Sequence, residues 1–242
     1  MTPGTIYGVG LGPGDPELMS VRADRLLRQA RNVAFFRKAG RPGQARGIVE
    51  GLLPQGVVEL PMEYPVTTEI PVTDPRYNQI LSGFYADWTA RLRQVAEAGE
   101  DVVVLCEGDP FFYGSFMHLY TRLEGLVPLQ VVPAITGMSG AWTATGQPMT
   151  WGDDVLTVLM GTLPEADLTR HMAESDALVV MKVGRNIERV RRALHATGRL
   201  ETAWLVEYAT MADEKAVKLT DVEGYVPSYF SIVLVHGQGR RP

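Results

Sequence analysis

Four consecutive apolar residues, Val102 to Leu105, run directly into Cys106-Glu107-Gly108-Asp109-Pro110. An unbroken apolar run of this length suits a strand buried on both faces of a parallel sheet. The glycine after it permits unusual dihedrals and lets a ligand approach the backbone. Asp109 is expected to cap a helix that Pro110 starts. Small ligands bind beyond the strand ends of open α/β sheets, so this turn is the first place to expect one. The aromatics Phe111, Phe112, Tyr113 and Phe116 suit either the wall of a pocket for a flat group or plain core packing.

The rest of the chain fits around that strand. Residues 5–11 read as a first strand that runs into Gly8, Gly10, Gly12, Pro13 and Gly14, after which Asp15 caps a helix opened by Pro16. Leu18, Val21, Leu26, Leu27 and Ala30 form that helix's apolar stripe. Val33–Phe36 reads as a second strand, Ala45–Leu53 as a helix and Val57–Leu60 as a third strand. Pro61 to Asn78 is rich in proline and reads as an irregular excursion. Ile80, Leu81, Phe84, Tyr85, Trp88, Leu92 and Val95 then recur at helical spacing until Gly99. A helix at Phe116–Leu123 and a strand at Leu129–Val132 complete a parallel α/β pattern. Pro133 to Gly140 reads as a bend of small residues, and the domain boundary is placed there, giving domains 1–132 and 133–242. In the second domain, strands are expected at 155–160, 177–183, 203–207, 216–218 and 231–235, with a basic helix at 187–196. The expected architecture is two α/β lobes with the active site in the cleft between them.

Charge and composition remove several function classes. The formal net charge of −5 gives no field for a nucleic-acid coat. A single cysteine, Cys106, excludes an internal disulfide and a thiolate-only metal site. His118, His171, His195 and His236 lack metal-ligand spacing, so no metal is expected. The N-terminus shows no signal-peptide pattern and no apolar run approaches a membrane span, so the expected location is cytoplasmic.

The glycine loop at 8–15 does not have the spacing of a dinucleotide fingerprint, and the second strand ends in Phe35-Phe36-Arg37-Lys38 with no carboxylate for a ribose. A nicotinamide oxidoreductase is a rival that this broken fingerprint disfavours, and a non-catalytic binding protein is another. Arg37 and Lys38 follow a strand end and suit a substrate with several carboxylates. Most of the cluster Lys182, Arg185, Arg189, Arg191 and Arg192 reads as a solvated helix face. Cys106 has no basic neighbour in sequence and reads as an inert buried thiol.

Four segments together resemble the tetrapyrrole (corrin/porphyrin) methyltransferase family: VGLGPGDPEL at 9–18, CEGDPFFYGSFM at 106–117, VVPAITGMSGAWTATGQP at 131–148 and VVMKVGRN at 179–186. Within it, the segment at 106–117, DVLTVLMGTLP at 154–164, VEYATMADE at 206–214 and SYFSIVLV at 228–235 are most similar to the branch that methylates precorrin-2 at C20. The long 61–98 insertion is also a feature of that branch. The resemblance implies a homodimer that binds S-adenosylmethionine and transfers its methyl group to a tetrapyrrole. The substrate is then metal-free precorrin-2 or its cobalt complex, and the non-catalytic rival becomes a tetrapyrrole-binding protein.

Carried over position by position, the resemblance implies cofactor contacts at Pro13, Glu107, Gly108, Asp109, Phe112, Tyr113, Thr136, Gly137, Met181, Tyr208, Ala209 and Thr210. Arg37, Lys38 and Arg185 are the expected substrate-binding residues. Glu207 and Tyr208 are the candidate catalytic groups. Two departures stand out. Ala134 occupies a position that commonly holds glycine in the family, and Phe36-Arg37 stands where some members carry an Asp base.

Overall fold

The computed structural model describes residues 2–67, 70 and 74–241. The chain divides into two compact units, one ending at Thr136 and the other beginning at Gly137.

In the first unit, strands and helices alternate: β1 (Ile6–Gly10), α1 (Val21–Gln29), β2 (Asn32–Lys38), α2 (Gln44–Ile48), β3 (Val58–Tyr64), α3 (Pro75–Glu97), β4 (Val102–Cys106), α4 (Phe116–Leu123) and β5 (Leu129–Val132). The five strands are parallel in the order β3-β2-β4-β1-β5. The apolar run is therefore the central strand, and each of its residues is buried. The first two crossovers step one way across the sheet and the last two step back. Right-handed connections then put α1 and α2 on one face and α3 and α4 on the other. Core packing agrees. Leu27, Ala45 and Ile48 lie with Val9, Val33, Phe35, Val103 and Leu105, whereas Phe84, Leu92 and Phe116 lie with Ile6, Ala34, Met62, Val102 and Val104.

Several local expectations are corrected. Asp15 accepts the Glu17 N–H at 2.8 Å, but the turn it caps is a single 3-10 turn, Pro16–Leu18. Met19 and Ser20 are extended, so the α-helix starts only at Val21, with Ser20 accepting the Ala23 N–H. Val21 is consequently 77% exposed instead of belonging to the buried stripe, which rests on Ala23 and Leu27. Asp109 caps only a single turn at Pro110, accepting the Phe111 N–H with one oxygen while the other goes to Ala134, and α4 begins at Phe116. Helix α2 stops at Ile48, short of the expected Leu53.

Both ends of the excursion expected over 61–78 are regular. β3 extends to Tyr64, with Pro61 opposite Phe35. Proline is tolerated there because β3 is an edge strand, so the missing N–H breaks no second ladder. Helix α3 starts at Pro75, with Asp74 accepting the Arg76 N–H at 2.9 Å. Within the expected excursion, Thr68, Glu69, Pro71, Val72 and Thr73 lie outside the described residues.

The second unit contains α5 (Gly137–Ala144), β6 (Leu156–Met160), α6 (Glu165–Ala173), β7 (Ala177–Met181), α7 (Ile187–Ala196), β8 (Trp204–Glu207), β9 (Lys215–Lys218) and β10 (Ser231–Val235). Its sheet has the order β6-β7-β10-β8-β9 and is mixed: β6 and β7 are parallel, and the other pairs are antiparallel. Part of the expected small-residue bend is helix α5, whose packing on the sheet through Ala141 supplies what its apolar periodicity lacks. Helix α6 is also regular, with Leu168 and Met172 in the core. The arginines of α7 are less free than a solvated face implies. Arg189 donates to the Thr162 and Leu163 carbonyls, Arg191 donates to the Leu219 carbonyl, and Arg192 pairs with Glu165.

Candidate cofactor and substrate site

In the first unit the glycine turns meet at the C-terminal ends of β1 and β4. The Leu11 N–H donates to the Cys106 carbonyl at 2.9 Å, and the Gly108 N–H donates to the Gly12 carbonyl at 2.9 Å. This antiparallel bridge joins two strands that run parallel a few residues earlier. The geometry needs left-handed backbone at Gly12 (φ +81°), Gly14 (φ +152°) and Gly108 (φ +63°), which glycine adopts without a Cβ penalty.

Asp109 locks a third chain segment onto this bridge. One of its carboxylate oxygens accepts the Phe111 N–H at 2.9 Å, and the other accepts the Ala134 N–H at 3.0 Å. Gly10 lies under the same junction, where an added Cβ would sit 2.6 Å from the Ala134 Cβ and 2.8 Å from the Gly108 carbonyl oxygen. Pro13 is buried in the turn. Phe112 packs edge-to-face on Tyr113, which is 47% exposed and held at φ +55°. Thr136 closes the unit, partly buried.

Glu107 caps a helix from a distance. Its carboxylate accepts the Ala45 N–H at 3.1 Å, at the start of α2, where Gly43 offers no side chain. Residue 107 keeps accessible surface, yet its carboxyl is hemmed in by neighbouring atoms. Desolvation pushes its pKa up, and the Ala45 N–H pulls it partly back. The Cys106 thiol beside it is buried, and burial together with the Glu107 and Asp109 charges pushes its pKa far up. Native protein is therefore expected to react with a thiol reagent at pH 8 orders of magnitude more slowly than denatured protein. Rapid stoichiometric labelling of the folded chain would contradict this.

The second unit presents an edge of the same kind. β6, β7 and β8 point the same way, so their C-terminal ends and the start of β10 share one side of the sheet. Met181 lies there, half-buried, with its carbonyl accepting the Gly161 N–H at 2.7 Å. Arg185 sits just beyond, exposed in the 3-10 turn Gly184–Asn186. Ala209 packs on the sheet from the turn after β8, and Gly137 opens α5 with its α-carbon facing Ile232. Lys182 (φ +53°), Tyr208 (φ +50°) and Thr210 (φ +66°) are all in left-handed backbone. With Tyr113 they are the four such non-glycine residues among those described. Side-chain-bearing residues in this region cost about 1–3 kcal/mol each and cluster at functional sites. Three of the four are residues that the family resemblance leads one to expect at the cofactor, and the fourth adjoins Met181.

Glu207 is 3% exposed. Its carboxylate accepts the Tyr225 hydroxyl at 2.9 Å and the Ser228 N–H at 2.6 Å, so both oxygens are engaged by one downstream segment. Tyr208 donates its N–H to the Phe230 carbonyl at 3.0 Å, and its ring lies 6.0 Å from that of Phe230. Tyr225, Ser228, Phe230, Ala45 and the Ala134 N–H escaped sequence reading because each acts through a contact with a distant part of the chain. Ala134, in the family's glycine position, serves mainly through its N–H, which any residue but proline provides.

Arg37 lies opposite Glu63 in the β2–β3 register and pairs with it at 2.6 Å. Lys38 is exposed at the end of β2. Beside them the Phe36 and Tyr64 rings stack at 5.5 Å, and the Tyr64 and Ser115 hydroxyls are hydrogen-bonded. A shallow depression lined by Arg28, Arg31, Asn32 and Glu100 lies at the opposite ends of these strands and contains none of the expected site residues. Among the described residues no cluster of three or more His, Cys, Asp or Glu has metal-binding geometry. No described helix is long and apolar enough to cross a membrane.

The pattern of the tetrapyrrole (corrin/porphyrin) methylases matches residues 5–223. The chain belongs to this family. A precorrin-2 C(20)-methyltransferase from a Sinorhizobium species is 49% identical to this tetrapyrrole methylase over 239 residues, covering 99% of this chain and 98% of the other. The cobalamin biosynthesis protein CobIJ of Mycobacterium tuberculosis is 44% identical over 238 residues, and this tetrapyrrole methylase spans 47% of its length. A cobalt-precorrin-2 C(20)-methyltransferase from Salmonella typhimurium is 28% identical, covering 97% of each chain. Among solved structures, the uroporphyrin-III C-methyl transferase of Thermus thermophilus complexed with S-adenosylhomocysteine superposes with a TM-score of 0.68. It is 24% identical and covers 96% of this chain and 97% of its own, a likeness that bears on the fold.

Proposed function

We propose that the protein is an S-adenosylmethionine-dependent methyltransferase that methylates C20 of precorrin-2, giving precorrin-3A and S-adenosylhomocysteine in cobalamin biosynthesis. The 49% identity with the Sinorhizobium enzyme along nearly the whole of both chains carries this reading. The 28% identity with the cobalt-precorrin-2 enzyme favours the metal-free substrate.

The residues at the two sheet edges suit the cofactor. Pro13, Gly108, Asp109 and Phe112 on one edge, and Met181, Tyr208, Ala209 and Thr210 on the other, offer backbone groups, aromatic faces and a thioether without a metal cluster. S-adenosylmethionine supplies an electrophilic methyl group on a sulfonium sulfur. The protein's task is to orient the reacting carbon in line with that methyl and to exclude water, an effect worth up to ~7–11 kcal/mol in favourable systems. Arg37, Lys38 and Arg185 are the cations assigned to the substrate carboxylates. The enzyme works as a cytoplasmic homodimer in this reading, which predicts gel-filtration elution at twice the chain mass.

The test is to offer precorrin-2 and cobalt-precorrin-2 side by side with S-adenosylmethionine. One methyl gained at C20 of precorrin-2, at the higher kcat/KM of the two, is the expected result. Binding of NAD(P)H without S-adenosylmethionine would move the chain to the oxidoreductases, and tetrapyrrole binding without turnover would make it a carrier.

The cation assignment has its own test. Arg37→Ala with Lys38→Ala is expected to raise the tetrapyrrole KM about tenfold, equivalent to about 1.4 kcal/mol, with cofactor affinity unchanged. Stability should barely move, because the Arg37–Glu63 pair is solvent-exposed and such pairs contribute about 0–1 kcal/mol. An unchanged KM removes these cations from the substrate site.

A further inference from the structure

Glu207 is the one fully buried carboxylate at the strained edge of the second unit among the described residues, and it is spent on a loop. That loop, Tyr225 to Phe230, is unusually apolar for an exposed segment: Val226 is 65% exposed, Tyr229 75% and Tyr225 40%. Tyr229 packs edge-to-face on Phe230 at 5.2 Å, and Phe230 leans on Tyr208. The Lys215 ammonium lies 5.1 Å above the Tyr225 ring and braces its outer side.

Besides the two bonds to Glu207 and the Tyr208–Phe230 bond, the Ser231 hydroxyl donates to the Ser228 carbonyl, and the buried Ser228 hydroxyl has no hydrogen-bond partner. Glu207 thus holds the segment at two points, Tyr225 and Ser228. A buried carboxylate accepting two donors is costly to disturb, because removing it leaves both donors unpaired. Exposed aromatic surface marks contact sites for proteins, membranes or ligands, and the linked Tyr208, Phe230 and Tyr229 rings beside strained backbone suit the face of a flat ring system.

We propose that Glu207 is a positioning residue that clamps the Tyr225–Phe230 segment against the Tyr208 turn, and that the Tyr229 and Phe230 rings so held form an apolar platform for the face of the tetrapyrrole substrate. The proposal rests on the reading of the protein as a tetrapyrrole methyltransferase. It gives Glu207 no proton to carry. A general base and a clamp make different predictions: loss of a base removes kcat and one limb of the pH profile, whereas loss of a clamp raises the tetrapyrrole KM.

The experiment uses Glu207→Gln, Tyr225→Phe and Tyr229→Ala in the full chain. Hydrogen exchange in the ligand-free proteins comes first. Glu207→Gln and Tyr225→Phe are expected to speed exchange over residues 225–231 at least tenfold, with β7 and β8 unchanged. Unaltered exchange in both overturns the clamp, whatever the activity. Kinetics with precorrin-2 then test the platform. Each of the three variants is expected to raise the tetrapyrrole KM five- to tenfold, with kcat within threefold and an unshifted pH profile, and Tyr229→Ala is expected to leave cofactor affinity unchanged. Loss of kcat with a lost pH limb in Glu207→Gln alone would make it a base and overturn the proposal. A change of oligomeric state in Tyr229→Ala with unchanged KM would make the loop a contact between copies, and overturn it equally. If wild-type protein fails to methylate precorrin-2, the functional reading falls while the exchange data still judge the clamp.

Discussion

Gly10→Ala should abolish measurable S-adenosylmethionine binding, with at least a hundredfold loss of affinity by isothermal titration in a protein that still folds. The added methyl would lie 2.6 Å from the Ala134 Cβ, 2.8 Å from the Gly108 carbonyl oxygen and 2.9 Å from the Pro110 ring. None of these is the free end of a flexible side chain, so the substitution is accommodated only if the 107–110 turn and the 133–136 bend separate. The Asp109–Ala134 hydrogen bond spans that gap and is lost with it. A second change sharpens the test. Ala134→Gly removes the nearest clash but leaves the Gly108 carbonyl in place, so the double variant should recover only part of the affinity. Gly47→Ala is the control: nothing lies within 4 Å of its added methyl, and in helix α2 it should stabilise by up to about 1 kcal/mol. Wild-type affinity in Gly10→Ala would remove the joined turns from the cofactor site.

The largest effect on stability is expected from Phe116→Ala. Phe116 is fully buried at the start of α4, with Ile6 and Val104 in its cluster and its ring over Gly8. Truncating such a ring costs about 3–5 kcal/mol, a large share of the ~5–15 kcal/mol that holds a typical domain folded. Urea unfolding should show a lower midpoint at nearly constant slope. Gly8 supplies the coupling test. A methyl at Gly8 would lie 2.3 Å from the Phe116 ring, so Gly8→Ala alone is also strongly destabilising. In the Phe116→Ala background the same methyl enters vacated space, and the two costs should be markedly less than additive. A drop below 1 kcal/mol for Phe116→Ala, or simple additivity, would show that the ring does not fix this junction.

Legibility in the sequence followed the range of the forces involved. The central strand, α4, β5, β10 and α7 were legible to the residue or nearly so, because burial of a continuous or periodic apolar set is recorded locally. Caps were legible as chemistry but not as partners. Asp109 has the right side chain for a helix cap, yet one of its oxygens goes to Ala134, and no local rule ranks a donor 25 residues away above the next turn. The start of α1 was misplaced for a related reason, since Asp15 and Ser20 are both competent caps and only the packed chain selects between them. Helix α5 escaped because its glycine and alanine positions carry little hydrophobic period.

The sequence by itself determined that this chain builds parallel strands ending in glycine turns, and its motifs carried the family and the identity of the cofactor. Left-handed glycine backbone and buried apolar runs are local consequences of side-chain size and hydration, so they can be read one segment at a time. Only the tertiary structure decided what those turns are attached to. It joined Gly12 to Gly108 and Asp109 to Ala134, turned Glu107 into the cap of a helix some sixty residues earlier, and took Glu207 for the Tyr225–Phe230 segment. The physical reason is that a buried polar group must find a partner, and which partner is within reach is settled by how the strands pair and not by their order along the chain.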